Sequence, residues 1–403
     1  MEVIEPFLNT RSWSLVESRP VQASYRPGRS CVVRYRVRAR TPEGHPRVLT
    51  LCGETRHRPG RAAVPPPEFE ARYGLPDPLD RDGVDLVWAF PYDPSLEGLP
   101  DAAWGPVIRD RLAAAGRPMR AVAVQSLRYR PRRRAVLRYT GLHGGRRRPA
   151  ADTLFGKVLS PSKHRQASDL EPRTRRPRVR LAMPLRPGMD GTLLFPVVEG
   201  RSLRDLLLAG ASLPAPGRVA GLLDALPQAL SEPPRSPDRD APMRAAASAR
   251  DLLVRLVPET AAAVDRMVDA VSEGLDNDTV AFRTVHGDLY EAQVFVAGDY
   301  SLGLIDLDDA GIGDPAMDAA NFCAHLIALA LAVPSAASRL MGYRSLVREA
   351  FLQRLGIPSP SLAWREALCM LLLATGPFRV LDPRWPGEVR RRLDLAIRLL
   401  EAP

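Results

Sequence analysis

Lysine is nearly missing from this chain. Of its 57 basic residues only Lys157 and Lys163 are lysines, and the rest are arginines. Cysteine is also scarce. Cys31, Cys52, Cys323 and Cys369 show no metal-site spacing and no disulfide framework, so free thiols in a reducing compartment are expected. Aromatic residues make up 6% of the chain, and Tyr129 and Tyr139 interleave little with the basic runs. A nucleic-acid binder that stacks bases on aromatic rings is therefore disfavoured. No apolar run reaches the roughly 18 residues of a membrane span. The longest, residues 324–333, fits a buried helix, and the acidic start Met1-Glu2-Val3-Ile4-Glu5 is not expected to act as a secretory signal. No G-x-G-x-x-G loop occurs. These absences predict a soluble cytoplasmic protein without a membrane or nucleic-acid partner.

What is present is sized for two or three domains, with 403 residues and an ordinary apolar content of 45%. The net charge of +11 comes from arginine. Arginine accompanied by abundant Ala, Pro and Leu matches a GC-rich genome, so part of this charge is compositional. The basic runs 128–138, 146–148 and 173–180 read as solvated faces, with anion-facing patches as the alternative.

An internal repeat organises the first half. Tyr25-Arg26-Pro27-Gly28-Arg29-Ser30-Cys31-Val32-Val33-Arg34-Tyr35 aligns with Tyr129-Arg130-Pro131-Arg132-Arg133-Arg134-Ala135-Val136-Leu137-Arg138-Tyr139, with seven of eleven positions identical. Each copy places a proline turn before alternating apolar and basic residues, the pattern of a β-hairpin. Third strands are expected at 47–52 and 153–159, giving two related β-units, stacked or adjacent. Only the second carries a lysine on its third strand, Lys157 in Phe155-Gly156-Lys157; the run Leu51-Cys52-Gly53 stands in the comparable place of the first. Residues 86–90 read as a strand and 104–116 as a helix closed by Gly116. A short strand over 193–200 should break at Gly200 before a helix at 202–208. Beyond lies a mostly helical region with proline-rich loops at 59–67 and 231–242.

The most specific signal is Val285-His286-Gly287-Asp288-Leu289-Tyr290-Glu291-Ala292-Gln293, followed by Gly303-Leu304-Ile305-Asp306-Leu307-Asp308-Asp309 and Gly313-Asp314-Pro315. It places a carboxylate on a tight loop, an amide five residues later and a second carboxylate after a short apolar run. Phosphoryl transfer from Mg-ATP needs these groups, one carboxylate to orient the acceptor hydroxyl and an amide with a carboxylate for the metal. The pattern resembles the aminoglycoside phosphotransferase-like kinases, which read H-G-D-x4-N, then I-D and G-D-P. The departure is Gln293 in place of Asn, a residue also found at this position in the actinobacterial maltokinase-like branch.

The resemblance implies roles residue by residue. Asp288 would be the catalytic base, with His286 bracing its loop. Gln293 and Asp306 would hold magnesium, and Asp308 could hold a second ion, touch the acceptor, or be a plain loop carboxylate. Lys157 would pair the α- and β-phosphates of ATP and take a carboxylate partner from the following helix, Glu171 in preference to Asp169. The hinge backbone near Phe195 and Val197 would bind adenine. Asp314 should cap the next helix with Pro315 in its first turn, and Asp314 and Asp318 read as architectural. Acceptor contacts would come from Glu291, Asp309 and C-terminal residues such as Trp364, Glu366, Asp382 and Trp385.

The expected fold is α+β and two-lobed, protein-kinase-like, with an added N-terminal β-rich cap and a mainly helical C-terminal lobe. The expected segments are a cap over 1–117, a nucleotide-binding lobe over 118–199 and a catalytic, acceptor-binding lobe over 200–403. The expected activity is transfer of the γ-phosphoryl group of ATP, with Mg2+, to a hydroxyl of a small-molecule acceptor: a sugar, amino sugar or aminoglycoside-like compound. The alternative is a catalytically inactive nucleotide-binding scaffold, favoured by Gln293 and the missing glycine loop.

Overall fold

The structure, a computed structural model, describes residues 4–58, 64–81, 85–142, 153–173, 179–185, 191–231, 238–278 and 280–401. The basic run 146–148, most of 173–180, and parts of the loops 59–67 and 231–242 lie outside the described residues. The chain divides into two compact units. The first takes in 1–168, 184–197 and 379–382, and the second 169–183, 198–378 and 383–403.

Both copies of the repeat fold as hairpins in the first unit. β1 (Ser14–Arg26) pairs with β2 (Ser30–Arg40), which pairs with β3 (Pro46–Arg56), all antiparallel. β4 (Leu79–Arg81) and β5 (Asp85–Ala89) complete this sheet in the order β1-β2-β3-β5-β4. The second copy gives β6 (Ala121–Arg130), β7 (Arg134–Leu142) and β8 (Thr153–Leu159), and the strand Thr192–Pro196 adds to the far side of β8. Proline explains the two turns. It fixes the second turn residue, and the third adopts positive φ, as in a type II turn. Gly28 does so at φ 67 and Arg132 at φ 64, and each turn closes through a 3.0 Å backbone bond, Arg29 N to Arg26 O and Arg133 N to Arg130 O.

The register corrects one sequence-based equivalence. Ser30 faces Arg56 just as Arg134 faces Leu159. Measured back from the turns, Lys157 opposite Val136 corresponds to Glu54 opposite Val32. The counterpart of the lysine is therefore a carboxylate one residue beyond the Leu51-Cys52-Gly53 run. One apolar core joins residues of both sheets, including Val37, Leu51, Trp88, Leu137 and Tyr139. Its polar tips are satisfied, as burial of Trp and Tyr requires: Trp88 Nε1 donates to the Tyr129 hydroxyl at 2.9 Å, and the Tyr139 hydroxyl donates to Ala102 O at 2.9 Å.

The second unit is mainly helical around a small sheet. Val294–Val296 and Leu302–Leu304 form an antiparallel hairpin. Arg201–Ser202 flanks it on one side and Arg180–Leu181 runs parallel on the other. Ser202 then caps the helix Leu203–Leu208, its hydroxyl accepting from Asp205 N at 3.1 Å, which satisfies an N–H that the first turn leaves open. The helix Pro315–Ala332 starts where Asp314 accepts from Ala316 N at 2.7 Å, with Pro315 in its first turn. By length and composition alone it is apolar enough to cross a membrane, yet 56% of it is buried inside the protein. It packs against the helices Ala337–Leu355 and Ser359–Ala374. Phe322 and Phe351 meet there edge to face at 5.8 Å, and each fully buried ring contributes roughly 2–3 kcal/mol. Asp318, Asn321 and His325 lie on the same helix.

Candidate active site

The loop bearing Asp288 is built from both ends. The strand Arg283–Val285 pairs antiparallel with Gly311–Gly313, which brings the stretch after Asp306 back beside the start of the loop. The next two amides, His286 N and Gly287 N, donate to the two oxygens of Asp318 at 2.7 and 3.0 Å. Asp318 is 4% exposed, and burial pushes its carboxyl above the ordinary range, against the pull of His286 and the backbone donors. Gly287 has φ 79, and a Cβ there would sit 2.3 Å from Asp309 O. No other residue fits that approach.

His286 is 1% exposed and its Nε2 lies 2.9 Å from Ile305 O. A carbonyl can only accept, so the ring carries its proton on Nε2. Nδ1 then accepts from Asp288 N at 3.4 Å. The histidine thus ties the Asp288 loop to the segment leading into Asp306. The Asp288 carboxylate accepts from Asn321 Nδ2 at 3.3 Å, and the same amide donates to Leu289 O at 3.1 Å.

Gln293 and Asp306 come together. Gln293 Nε2 donates to Asp306 Oδ2 at 3.0 Å, and Ile305 N donates to Gln293 O at 3.1 Å. The strand before Asp306 stops at Leu304, and Asp306 takes the left-handed conformation at φ 64, ψ 51. A non-glycine residue held there stores strain of about 1–3 kcal/mol, a feature that clusters at functional sites. Asp308 follows in a short 3-10 turn and is 5% exposed, so it does not continue a strand face.

A second cluster adjoins this loop in sequence. Glu291 is fully buried and accepts from Arg204 Nε at 2.7 Å; burial raises its carboxyl, and Arg204 opposes the shift. Tyr290 stacks on His325 with centroids 4.1 Å apart, and the Arg204 guanidinium lies 5.6 Å from the Tyr290 ring. Several acceptor candidates are held by architecture instead. Glu366 is buried between Arg344 at 2.9 Å and Arg348 at 3.1 Å, Trp364 lies against Gly274, and Trp385 packs edge to face on Phe378. Asp314 receives Arg365 Nε at 2.6 Å in addition to capping its helix.

Lys157, Phe195 and Val197 belong to the first unit, and Glu171 to the second. Lys157 is 8% exposed and its ammonium lies 5.5 Å from the centre of the Phe195 ring. Val197 is 43% exposed. The helix after β8, Pro161–Ser168, carries no carboxylate, and Glu171 lies beyond its end, exposed, with its carbonyl accepting from Ser231 N at 2.9 Å. Among the described residues no group of three His, Cys, Asp or Glu side chains could hold a metal ion.

Asn321, Arg204 and the acid-holding role of Asp318 toward two consecutive amides were not specified by the motif. Asn321 is one helical turn beyond Asp318, on the same face. That spacing was the available signal.

Residues 175–350 match the model of the APH phosphotransferase enzyme family. No curated protein matches the chain. Among solved structures, a thermostable mutant of aminoglycoside phosphotransferase APH(4)-Ia in its apo form is 14% identical, with a TM-score of 0.52 over 73% of this chain and 99% of that one. A ternary complex of a thermostable mutant of the same enzyme with ADP and hygromycin B is 16% identical, covering 72% of this chain and 98% of that one with a TM-score of 0.48. A choline/ethanolamine kinase family protein from Mesorhizobium loti is 12% identical, covering 70% and 89% at 0.43. At these identities the likeness bears on fold alone, and of the three only the first is close enough to carry that argument. The chain has the kinase-like fold of the aminoglycoside phosphotransferases, and the segment holding its Asp288 and Asp306 lies inside the part that matches the phosphotransferase enzyme family.

Proposed function

We propose that the protein transfers the γ-phosphoryl group of ATP to a hydroxyl of a small polar acceptor, a sugar, amino sugar or aminoglycoside-like compound. The observation that carries this reading is the pairing of Gln293 with Asp306, tied through His286 to the loop that carries Asp288. In such transfer the protein supplies position and charge rather than covalent chemistry. Asp288 orients the acceptor hydroxyl and takes its proton as the oxygen attacks. Asn321 holds one of its oxygens, and the Asp318 and His286 contacts keep the loop from drifting.

Magnesium binds through one or two protein carboxylates and takes its remaining ligands from phosphates and water. Asp306, Asp308 and the Gln293 amide oxygen are the donors this chain offers, and their type fits. When bound, the ion would neutralise the charge of the transferring phosphates. The Gln293 amide donates its N–H to Asp306, so a cation on Asp306 favours turning the amide to present its oxygen instead. Lys157 would meet the α- and β-phosphates, with Glu171 as its partner, and the backbone near Phe195 and Val197 would take adenine. Gln293, shared with the maltokinase-like branch that the sequence resembles, favours a sugar acceptor.

The catalytically silent nucleotide binder, favoured in the sequence by Gln293 and the missing glycine loop, gains one structural observation, the absence of a carboxylate from the helix Pro161–Ser168. The deciding experiment is ADP release from Mg-ATP across pooled sugars, amino sugars and aminoglycosides, with Asp288→Asn alongside. Acceptor-dependent release that the variant loses supports the kinase. Nucleotide binding without release from any pool supports the silent binder, and no nucleotide binding at all overturns both.

A further inference from the structure

The turn between β6 and β7 contains an anomaly. Its sister turn in the first repeat has Gly28 at the position that needs positive φ; here Arg132 adopts the same conformation, at φ 64. An L side chain resists that conformation unless its surroundings enforce it. The surroundings are supplied by the first repeat and the segment after it. Arg132 N donates to Asp93 Oδ2 at 2.8 Å, its Nη1 donates to Ser95 Oγ at 3.1 Å, and its Nη2 pairs with Glu54. The guanidinium also lies 5.3 Å from the centre of the Trp88 ring. Asp93 and Glu54 are 1% and 7% exposed, and Asp93 additionally accepts from the Tyr129 hydroxyl at 2.7 Å and from Ser95 N at 2.8 Å. Glu54 is the residue that stands, in the first repeat, where Lys157 stands in the second. The first β-unit has a carboxylate at the lysine position and uses it to grip the turn of its sister.

The register shows what that grip positions. Arg130 pairs with Arg134 at the mouth of the turn, Arg134 with Leu159, and Arg128 with Val136, which pairs with Lys157. Directly paired residues and those two apart along a strand share a sheet face. Arg128, Arg130 and Arg134 therefore stand on the Lys157 face. Arg130 is crowded: burial and then the nearby Arg128, Arg134, Arg379 and Arg133 pull its guanidinium down to about 10. A polyanion would relieve that crowding, and arginine forks match phosphate oxygens.

We infer that the first β-unit is the positioning frame of the nucleotide's phosphate site: through Glu54 and Asp93 it holds Arg132, and so sets Arg130 and Arg134 where the phosphates of ATP meet them. This inference rests on the kinase reading. Arg132 is a positioning residue whose side chain reaches Glu54 and Ser95, while Arg130 and Arg134 touch the ligand.

The test is calorimetric titration of the full chain with ATP, ADP and adenosine in Mg2+, using Arg132→Gly, Glu54→Gln and the double variant, with a thermal melt of each. Glycine suits the turn, so the Arg132→Gly chain keeps its fold. Each single variant is expected to weaken ATP by about tenfold while adenosine binds as to wild type. The double variant should be no weaker than either single one, because both changes release the same grip. Unchanged ATP affinity in the variants, with wild type binding ATP, overturns the inference and leaves the kinase reading standing. So does an equal loss for adenosine and ATP, which marks general damage. A wild-type chain that binds none of the three overturns the kinase reading and this inference with it.

Discussion

Replacing Asp318 tests whether the loop carrying Asp288 is held by a buried acid. Its carboxylate receives two consecutive amides, His286 N at 2.7 Å and Gly287 N at 3.0 Å, on a residue 4% exposed. Alanine leaves both donors without that partner, and a buried donor left unsatisfied costs about 1–3 kcal/mol, so Asp318→Ala should cost about 2–6 kcal/mol. Asparagine keeps one acceptor oxygen and turns an NH2 toward the other amide, so Asp318→Asn should fall between wild type and alanine. Against a total stability of about 5–15 kcal/mol the alanine change is large. Denaturant melts should rank wild type above Asn above Ala, and hydrogen exchange at the His286 and Gly287 amides should accelerate in the same order. Turnover should fall alongside, because the same amides set the position of Asp288. An alanine variant with a wild-type midpoint and unchanged protection of these amides would refute the reasoning, since the acid would then not be holding the loop.

Other consequences can be measured separately. Gly287→Ala puts a Cβ 2.3 Å from Asp309 O at φ 79, so the loop must shift; turnover should fall by about tenfold or more, whereas an active variant would show that the approach is slack. Asp306→Asn should raise the magnesium concentration needed for half-maximal turnover, and chelation should abolish turnover in wild type; an unchanged magnesium dependence removes Asp306 from the metal site. Glu291 has a carboxyl raised above its ordinary 4.5 by burial, so its ionisation costs the folded state stability as pH rises through the raised value. Glu291→Gln should match wild type in acid and gain on it above about 4.5, checked by melts across pH; a constant gap refutes the assignment.

How much of this was legible depended on the range of the interaction. The repeat was readable because a proline turn and a two-residue alternation are local signals, and both hairpins formed where they were placed, with third strands over 46–56 and 153–159. The Asp314 cap and the Pro315 start were readable for the same reason. Strand register was not, because a one-residue difference in the loop before β3 moves the match to Lys157 from Gly53 to Glu54 without altering the pattern of either strand. The left-handed backbone of Asp306 was not readable either, because it is set by the hydrogen bonds of Gln293 and Ile305 rather than by local propensity. The grips on Asp288 by Asn321 and on Arg132 by Glu54 join residues 33 and 78 positions apart, and no window of sequence contains both partners. Chemistry-bearing types could be nominated from spacing, while the residues that hold them in place are visible only once the chain is folded.

Phosphoryl transfer to an acceptor hydroxyl through Asp288 leaves a product that can be seen directly. Phosphorus NMR of wild type and Asp288→Asn, each incubated with Mg-ATP and the sugar, amino-sugar and aminoglycoside pools, tests it most directly. A new phosphomonoester resonance on an acceptor is expected, growing with ADP in wild type and reduced by about 100-fold or more in the variant. Inorganic phosphate as the sole product, or an ester formed equally fast by the variant, would contradict it.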